Sequence, residues 1–241
     1  MNKFLLIIPI YNEEKVLESV AHNTVKEAKE QADILFINDG SYDRSPEILL
    51  SLQKQYPFIK LLNKEVNEGY GASIISGFNY GIQEYYDYLI TMDCDAQHEP
   101  KDLHRFFTYN PYVDVVSGSR YLKDSQIVGK APEDRVEINY RITELLNETY
   151  NWSLSDAFCG YKRYRIDAFK NHGFEEKGYA FPLELWAFAY RNHLHIEELA
   201  VDRIYLTNDR SFGEDLDNKN RRYRHYMQAW KKAEEKYGIE R

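Results

Sequence analysis

The hydrophobic residues in the first half of the chain follow two alternating patterns. Short, almost continuous apolar runs at residues 3–10, 33–38, 59–63 and 88–92 predict four buried strands. Between these runs, apolar residues recur at every third or fourth position, as in helices that pack on one face. Strands and helices that alternate at intervals of about 25–30 residues are typical of a parallel sheet covered by helices. The pattern therefore predicts an α/β fold with a mostly parallel central sheet flanked by helices.

Polar residues mark the starts of the first two predicted helices. Asn12 is predicted to cap the first helix, where Glu13 and Glu14 suit the positive first turn. Ser45 and Pro46 are the residue types of a cap and a first helical position, so the second helix is predicted to begin there.

A glycine-rich segment, NEGYGASIISGF, opens a third predicted helix at residues 69–85. Gly69 and Gly71 could present backbone amides to a phosphate. However, Ile74 stands where a dinucleotide-binding fingerprint needs its third glycine, and the spacing of a Walker loop is absent as well. We therefore predict that these glycines let the helix pack closely against the sheet.

The second half of the chain is less regular. No internal repeat, low-complexity tract or linker interrupts the sequence, so we predict a single domain over residues 1–241. The predicted elements are strands at 114–117 and 194–201, helices at 135–150, 182–191 and 221–237, and a polar, mobile loop at 207–220.

The composition narrows the functional classes. The chain is 43% hydrophobic, which is enough for a core, and some of its 21 tyrosines are expected to line a wet cleft. A net charge of −8 argues against a nucleic-acid-binding protein, because phosphate backbones are bound by basic surfaces. Cys94 and Cys159 show no metal-binding spacing, and no apolar stretch is long enough for a signal segment or a membrane span. We expect a cytoplasmic protein, with peripheral attachment to a membrane left open.

Polar clusters follow three of the predicted strands, at residues 11–13, 38–41 and 93–95. In open α/β sheets, ligands bind beyond the carboxyl ends of the strands. We therefore expect the three clusters to belong to one functional site.

The segment TMDCDAQHEP places two carboxylates, Asp93 and Asp95, directly after the fourth predicted strand. On a regular strand these two residues point to one face and Cys94 to the other, so both carboxylates are expected to reach one ligand. Mg²⁺ and Mn²⁺ prefer oxygen ligands, and need few from the protein when a diphosphate supplies others. The pair therefore suits a nucleotide diphosphate with its cation. The simpler interpretation is a surface turn with acids near a helix start, around Pro100 and Asp102.

Five segments occur together in one order and spacing: IPIYNEE, INDGSYD, NEGYGASIISGF, TMDCDAQHEP and GSRY. With them the chain resembles the family-two inverting glycosyltransferases of the GT-A fold, in particular the dolichyl-phosphate mannose or glucose synthases and their bacterial polyprenyl-phosphate relatives. The resemblance implies a nucleotide-sugar-binding half at about 1–118, an acceptor half at about 119–220 and a C-terminal helix at about 221–241.

The resemblance implies a UDP- or GDP-sugar as donor, and the choice of base stays open. Each donor-binding position also has a purely structural interpretation, as a strand end, a helix cap or a turn. Carried over by position, the donor-binding residues are Pro9, Tyr11, Glu13, Asp39 and Asp93.

The resemblance also implies a bound Mg²⁺ or Mn²⁺ ion. By position, its ligands are Asp93, Asp95 and Gln97. Cys159 stands where serine is more usual in relatives, and we expect it to have a packing role.

Three arginines resemble positions that hold phosphate groups in relatives: Arg120 in GSRY, Arg135 in EDRVEINYR and Arg210 in NDRSFG. Sugar transfer leaves a nucleoside diphosphate, so negative charge grows on the leaving oxygens, and cationic groups stabilise it. The alternative interpretation is a set of surface ion pairs.

The resemblance places Asp95, Arg120 and Asp156 in catalysis. In an inverting single displacement, a hydroxyl acceptor needs a general base, whereas an ionised lipid phosphate does not. Asp156, in SDAFCGYKRYR, is either that base or a group that orients the site, and a helix cap is the structural alternative.

Three functional hypotheses follow. We favour transfer of a hexose to a polyprenyl phosphate, and the alternative is transfer to a hydroxyl of a glycan or small molecule with Asp156 as base. A non-catalytic nucleotide-sugar-binding module is the third hypothesis.

Two features near the end bear on a lipid acceptor. The loop RSFGEDLDN, at residues 210–218, carries acids where phosphate-acceptor enzymes often have lysine. The last predicted helix has basic residues beside aromatic ones, so it either lies on an anionic bilayer or packs on the core with a solvated basic face. Its basic residues are Arg221, Arg222, Arg224, Lys231 and Lys232.

Overall fold

A seven-stranded sheet forms the centre of the structure, a computed structural model that describes residues 2–28, 30–205, 216 and 218–240. A separate ribbon of two short strands lies beside it. The strands are β1 (Phe4–Ile10), β2 (Ala32–Asp39), β3 (Ile59–Lys64), β4 (Tyr88–Thr91), β5 (Val115–Ser119), β6 (Ile127–Gly129), β7 (Lys162–Arg165), β8 (Ile196–Ala200) and β9 (Arg203–Tyr205).

Helices cover both faces of this sheet. The residue bounds of the helices are α1 (Leu17–Ala28), α2 (Ser45–Gln55), α3 (Tyr70–Gln83), α4 (Leu103–Phe107), α5 (Glu133–Tyr150), α6 (Phe181–Arg191) and α7 (Lys219–Lys236). Short 3₁₀ turns at Pro100–Asp102 and Ile166–Phe169 complete the described elements.

The sheet has the strand order β3-β2-β1-β4-β7-β5-β8. All six strands predicted from the apolar pattern occur in it, and the first four are mutually parallel as expected. The seventh strand, β7, was not predicted and runs antiparallel to both β4 and β5. The ribbon of β6 and β9 was also missed, because both strands are only three residues long.

The side chains of the first strands alternate between two apolar cores, one on each face of the sheet. Leu6 and Ile8 belong to the core covered by α1, α2 and α4, whereas Leu5 and Ile7 belong to the core covered by α3, α5 and α6. Burial on both faces explains why these strands are almost continuously apolar.

The glycines at the start of α3 permit close packing, as predicted, but against the segment before α6 and not against the sheet. Gly69 has a φ of +105°, and a Cβ atom there would lie 2.4 Å from the carbonyl oxygen of Lys177. A Cβ atom at Gly71 would lie 2.2 Å from the carbonyl oxygen of Glu176. Because neither position has room for a side chain, these glycines permit close packing, and no phosphate is needed to explain them.

The C-terminal helix α7 turns its aromatic side towards the protein. Trp230 is completely buried, and Tyr223, Tyr226 and Met227 pack against the same core. Of the two hypotheses for this helix, packing on the core is therefore confirmed. In the described ranges, no helix combines the length and the apolar character needed to cross a membrane.

Candidate active site

A cavity of about 1000 Å³ opens at the carboxyl edge of the parallel strands. Loops that follow β1, β2, β4 and β5 form its walls together with α5 and the segment before α6. The predicted site residues that line it are Pro9, Tyr11, Glu13, Asp39, Asp93, Asp95, Gln97, Arg120 and Arg135.

Of the predicted site residues, Asp156 is not among those that line the cavity, and Arg210 is not among the described residues. Asp156 lies directly behind Arg120 and is completely buried. Arg210 and most of the predicted loop around it lie outside the described residues, so its role stays a prediction.

The loops after β1 and β2 are tied together by hydrogen bonds. Asn12 does not cap α1, which begins only at Leu17; it has a φ of +56°, and its side-chain oxygen accepts the N–H of Tyr42 at 3.0 Å. The Ser45 hydroxyl does not cap its own helix and instead accepts the N–H of Glu13 at 3.0 Å. The two predicted caps therefore stabilise contacts between loops, which places Glu13 in the cavity wall.

Asp39, at the end of β2, holds the loop that precedes α3. Its carboxylate accepts the N–H groups of Glu68 and Gly69, at 3.2 and 2.8 Å. Lys64 lies 3.0 Å from the same carboxylate in a well-buried ion pair. Asp39 therefore shapes one wall of the cavity through backbone contacts.

The acid pair lies in a turn beyond β4, not on a regular strand as predicted, because β4 ends at Thr91. Ala96 has a left-handed backbone with a φ of +57°, and the N–H of Gln97 donates to Asp95 Oδ1 at 3.0 Å. This turn brings both Asp93 and Asp95 to the cavity, while Cys94 is buried. Asp93 and Asp95 both line the cavity, but Cys94, which was expected on the other face, lines it as well.

Asp93 is held in a closely packed position. Its N–H donates to His98 Nδ1 at 3.0 Å, which requires that nitrogen to be unprotonated. Burial and the nearby Asp93 carboxylate together raise the pKa of Tyr70 well above its ordinary value. On the other side, a Cβ atom at Gly160 would stand only 2.5 Å from Asp93 Oδ2. The carboxylate therefore has little room to move.

The residues fit a divalent cation that also binds substrate. Asp93 Oδ1 is buried without a hydrogen-bond partner among the described residues, which is costly unless a ligand satisfies it. Within the described part of the chain, no group of three or more His, Cys, Asp or Glu side chains is placed to hold a metal ion by itself. Mg²⁺ sites often use one or two carboxylates together with substrate phosphates, so Asp93, Asp95 and Gln97 fit as a partial ligand set.

Arg120, which lines the cavity, forms a bidentate ion pair with Asp156. Arg120 Nε donates to Asp156 Oδ2 at 2.7 Å, and Arg120 Nη2 donates to Oδ1 at 2.9 Å. Burial alone would raise the pKa of Asp156, but Arg120 and then Lys162 keep it below its ordinary value. Burial would likewise lower the pKa of Arg120, and Asp156 raises it well above the ordinary value. Arg120 is thus a fixed positive charge at the cavity wall.

Sequence reasoning missed the residues behind this pair. Glu198 on β8 accepts the N–H groups of Ser155 and Asp156 at 2.9 and 3.1 Å, which fixes the backbone that carries Asp156. Lys162 on β7 is buried and donates to the Ser117 hydroxyl at 2.8 Å, and burial lowers its pKa. The segment GYKRYR carried the only local signal, a lysine close to Asp156. Nothing in the sequence around Glu198 indicated its partners.

Apart from Tyr11, the aromatic residues of the cavity were not predicted individually, although tyrosines were expected in a wet cleft. The rings of Tyr70 and Tyr179 both line the cavity and stack with their centres 5.8 Å apart. Such rings give flat apolar surfaces with polar edges to a ligand. The tyrosines that line the cavity are Tyr11, Tyr70, Tyr121, Tyr179, Tyr205 and Tyr226.

Known proteins share both the sequence pattern and the fold. The family model for glycosyl transferase family 2 matches residues 5–173. The chain is 27% identical over 215 residues to undecaprenyl-phosphate mannosyltransferase of Micrococcus luteus, which covers 88% of this chain and 86% of that protein. It is also 27% identical over 202 residues to polyprenol monophosphomannose synthase of Mycolicibacterium smegmatis, covering 82% of this chain and 76% of that protein.

Among solved structures, the chain is similar in fold to glucosyl-3-phosphoglycerate synthase of Mycobacterium tuberculosis, solved in complex with Mn²⁺, uridine diphosphate and glucosyl-3-phosphoglycerate. The match covers all of this chain and 81% of the synthase chain. The TM-score is 0.70 and the sequence identity is 14%. At this identity the match is evidence for the fold alone, and the predicted GT-A fold is confirmed.

Proposed function

This chain belongs to glycosyl transferase family 2 and is a glycosyltransferase; on that premise, we propose that it transfers a hexose from a UDP- or GDP-sugar to a polyprenyl phosphate with inversion at the anomeric carbon. The observation that carries the proposal is the single cavity in which a carboxylate pair and the arginines Arg120 and Arg135 come together. The names of the two curated relatives, which refer to undecaprenyl phosphate and polyprenol, support the choice of acceptor.

In this proposal, the donor lies with its diphosphate near Asp93, Asp95 and Gln97. These side chains would hold a Mg²⁺ or Mn²⁺ ion, which when bound neutralises charge on the diphosphate. The buried Asp93 Oδ1, which has no hydrogen-bond partner in the described chain, supports this placement. Pro9, Tyr11, Glu13 and Asp39 form the adjoining wall, where we place the nucleoside.

Arg120 is the residue that we assign to the growing negative charge. Its guanidinium is held in one orientation by Asp156, so little reorganisation is needed as charge develops on the phosphate oxygens. Loss of one such preorganised contact typically lowers kcat by about 10²–10³-fold. Arg135 lines the same cavity and is proposed to contact phosphate, and Arg210 keeps that role as a prediction.

The surroundings of Asp156 favour a phosphate acceptor over a hydroxyl acceptor. A general base must reach the proton that it removes and should have a pKa near the working pH. Asp156 is completely buried, both its oxygens bind Arg120, and that ion pair holds its pKa below the ordinary value. It is therefore suited to orient Arg120, and an ionised lipid phosphate needs no base.

We further propose that the two halves of the chain bind different substrates. Residues at about 1–118 bind the donor, and residues at about 119–220 bind the acceptor, within one domain of 1–241. A lipid acceptor would bring the protein to the cytoplasmic face of a membrane as a peripheral enzyme.

The proposal is tested by offering purified protein labelled UDP- and GDP-hexoses with either undecaprenyl phosphate or soluble glycans. We expect label in the lipid fraction, with an inverted anomeric configuration, and loss of this transfer in Asp95→Asn. Asp167→Asn changes an exposed carboxylate outside the cavity and is the matched control. Label that enters only glycans, or donor that is bound and never transferred, would contradict the proposed acceptor.

A further inference from the structure

A second cavity, of about 760 Å³, lies between α5 and the ribbon of β6 and β9. Its volume is within the range of about 300–1,000 Å³ that is usual for small-molecule sites. It adjoins the candidate active site, because Tyr121 and Asn139 line both cavities. We call this second cavity the α5 groove.

The wall of the α5 groove is mostly apolar. Val136 and Leu154 line it, as does the ring of Tyr140, which is 60% exposed. Beside it, the neighbouring strand residues Ile127 and Val128 are 64% and 41% exposed. Large apolar side chains exposed side by side mark a surface that contacts apolar material.

A guanidinium lies where the two cavities meet. Arg203, on β9, lines the α5 groove and stands 5.2 Å from the ring centre of Tyr121. Arg120 stands 6.0 Å from the same ring, on the active-site side. Arg203 Nε is buried and has no hydrogen-bond partner in the part of the chain that the structure describes. An anion beside Tyr121 would satisfy this group.

The acidic residues of the α5 groove lie along its outer rim and have partners. Glu133 pairs with Lys130 at 3.1 Å, Glu137 lies 2.5 Å from the amine of Lys219, and Glu144 accepts the Tyr140 hydroxyl at 2.5 Å. These carboxylates disfavour an anion at the outer end. An anionic group is therefore directed to the inner end, beside Tyr121.

We propose that the α5 groove binds the first isoprene units of a polyprenyl phosphate, with the phosphate beside Tyr121 and in contact with Arg203. The inference rests on the proposed function and adds to it a site for the hydrocarbon chain. An anionic head joined to an apolar tail matches the order of groups in the groove: arginines at the inner end, apolar walls beyond them, and exposed Ile127 and Val128 at the edge.

A chain-length series tests the site directly. Inorganic phosphate, dimethylallyl phosphate, geranyl phosphate and farnesyl phosphate are titrated into the protein by calorimetry. Because each buried methylene contributes about fourfold in affinity, each added isoprene unit should strengthen binding by at least about tenfold until the groove is full. Equal affinity across the series would overturn the proposal, since the tail would then contact nothing.

Matched variants locate the binding. Tyr140→Asp places a charge at the apolar wall and Val128→Asp places one beside it. Tyr112→Asp and Leu50→Asp change exposed apolar residues away from both cavities. We expect the groove variants to raise the KM for undecaprenyl phosphate at least about tenfold, with the KM for the nucleotide sugar within about twofold of wild type. The controls should leave both values unchanged.

Arg203→Gln tests the inner end of the groove, with Arg191→Gln, on the exposed end of α6, as its control. Loss of a hydrogen bond to a charged group typically corresponds to about 10–100-fold in affinity. We expect weaker farnesyl phosphate binding by this factor in Arg203→Gln and no change in the control. Unchanged binding in Arg203→Gln would refute the assignment of the phosphate.

The outcomes separate this inference from the proposed function. If wild-type protein transfers sugar to undecaprenyl phosphate and the groove variants behave like their controls, the α5 groove is not the chain site although the function holds. If no polyprenyl phosphate accepts sugar, the proposed function fails. The chain-length series still shows whether the α5 groove binds a hydrocarbon chain. If the variants lose binding to lipid vesicles but keep farnesyl phosphate affinity, the exposed residues only contact membrane and the inference is wrong.

Discussion

Gly160 offers a sharp test of the idea that the position of Asp93 controls donor binding. A Cβ atom at Gly160 would lie 2.5 Å from Asp93 Oδ2 and 2.8 Å from Oδ1, whereas ordinary contacts begin at 3.4 Å. The Gly160 carbonyl is itself held by the Thr91 hydroxyl at 2.6 Å, so its backbone resists moving away. In Gly160→Ala, the Asp93 carboxylate therefore has to move away from the new methyl group.

The size of the effect follows from this distance. To reach an ordinary contact, the carboxylate has to move by about 0.9 Å, and a misplacement of about 1 Å in an active site can cost about 10²-fold in rate. That loss corresponds to about 2.7 kcal/mol of transition-state stabilisation. Forcing an extra methyl group into a packed site also lowers the free energy of unfolding by about 1–3 kcal/mol. The variant should therefore fold, melt a few degrees lower and be nearly inactive.

The assay compares kcat/KM for the nucleotide sugar and the melting temperature of Gly160→Ala with those of a glycine control. Gly173→Ala is suitable, because a Cβ atom there meets nothing within 4 Å. Its φ of +58° costs an alanine about 1–2 kcal/mol, so it matches the stability loss without touching Asp93. The reasoning is refuted if Gly160→Ala keeps activity within threefold of wild type, or if Gly173→Ala loses as much.

Three further predictions concern the same structure. Asp156→Asn leaves Arg120 without its buried partner and should lower the free energy of unfolding at neutral pH by about 3–5 kcal/mol in urea denaturation. Because the folded pKa of Asp156 lies below its ordinary 3.8, the wild type keeps this stabilisation above that pH and loses it as the pH falls further, and the variant should lack this loss. Trp230→Ala should lower the free energy of unfolding by about 3–5 kcal/mol, and the exposed Lys231→Ala should lower it by less than about 0.5 kcal/mol. Equal losses in the two variants would contradict the packing of α7. Chelating divalent cations should abolish transfer and weaken donor binding in calorimetry, with recovery on adding Mn²⁺ or Mg²⁺; transfer that survives chelation would exclude the proposed metal dependence.

The parallel part of the sheet was predictable from the sequence because its strands are apolar on both faces. Residues of β1 and β2 alternate between two cores, so nearly every position in them is apolar and the runs stand out. Helix positions followed from the intervals between these runs. The polar residues at the strand ends then indicated one edge of the sheet as the site.

The antiparallel strand β7 was missed because its sequence, KRYR, has the composition of an exposed segment. Lys162 and Arg163 are nevertheless buried; Lys162 donates to the Ser117 hydroxyl, and the Nη groups of Arg163 donate to carbonyl groups far away in the chain. Arg163 Nη2, for example, donates to the carbonyl oxygen of Asn110 at 2.7 Å. No local pattern predicts a buried cationic strand, since the groups that stabilise it come from elsewhere in the chain.

The sequence by itself predicted the layered fold, and most of the site residues that it predicted line the cavity, because motif order and apolar periodicity are local properties of the chain. Only the tertiary structure decided how those residues are held: Gly160 against Asp93, Asp156 behind Arg120, and Glu198 behind Asp156. The same holds for Arg203, which the pairing of β9 with β6 brings to the mouth of a second cavity. These contacts join residues far apart in the chain, so they exist only once the sheet has formed.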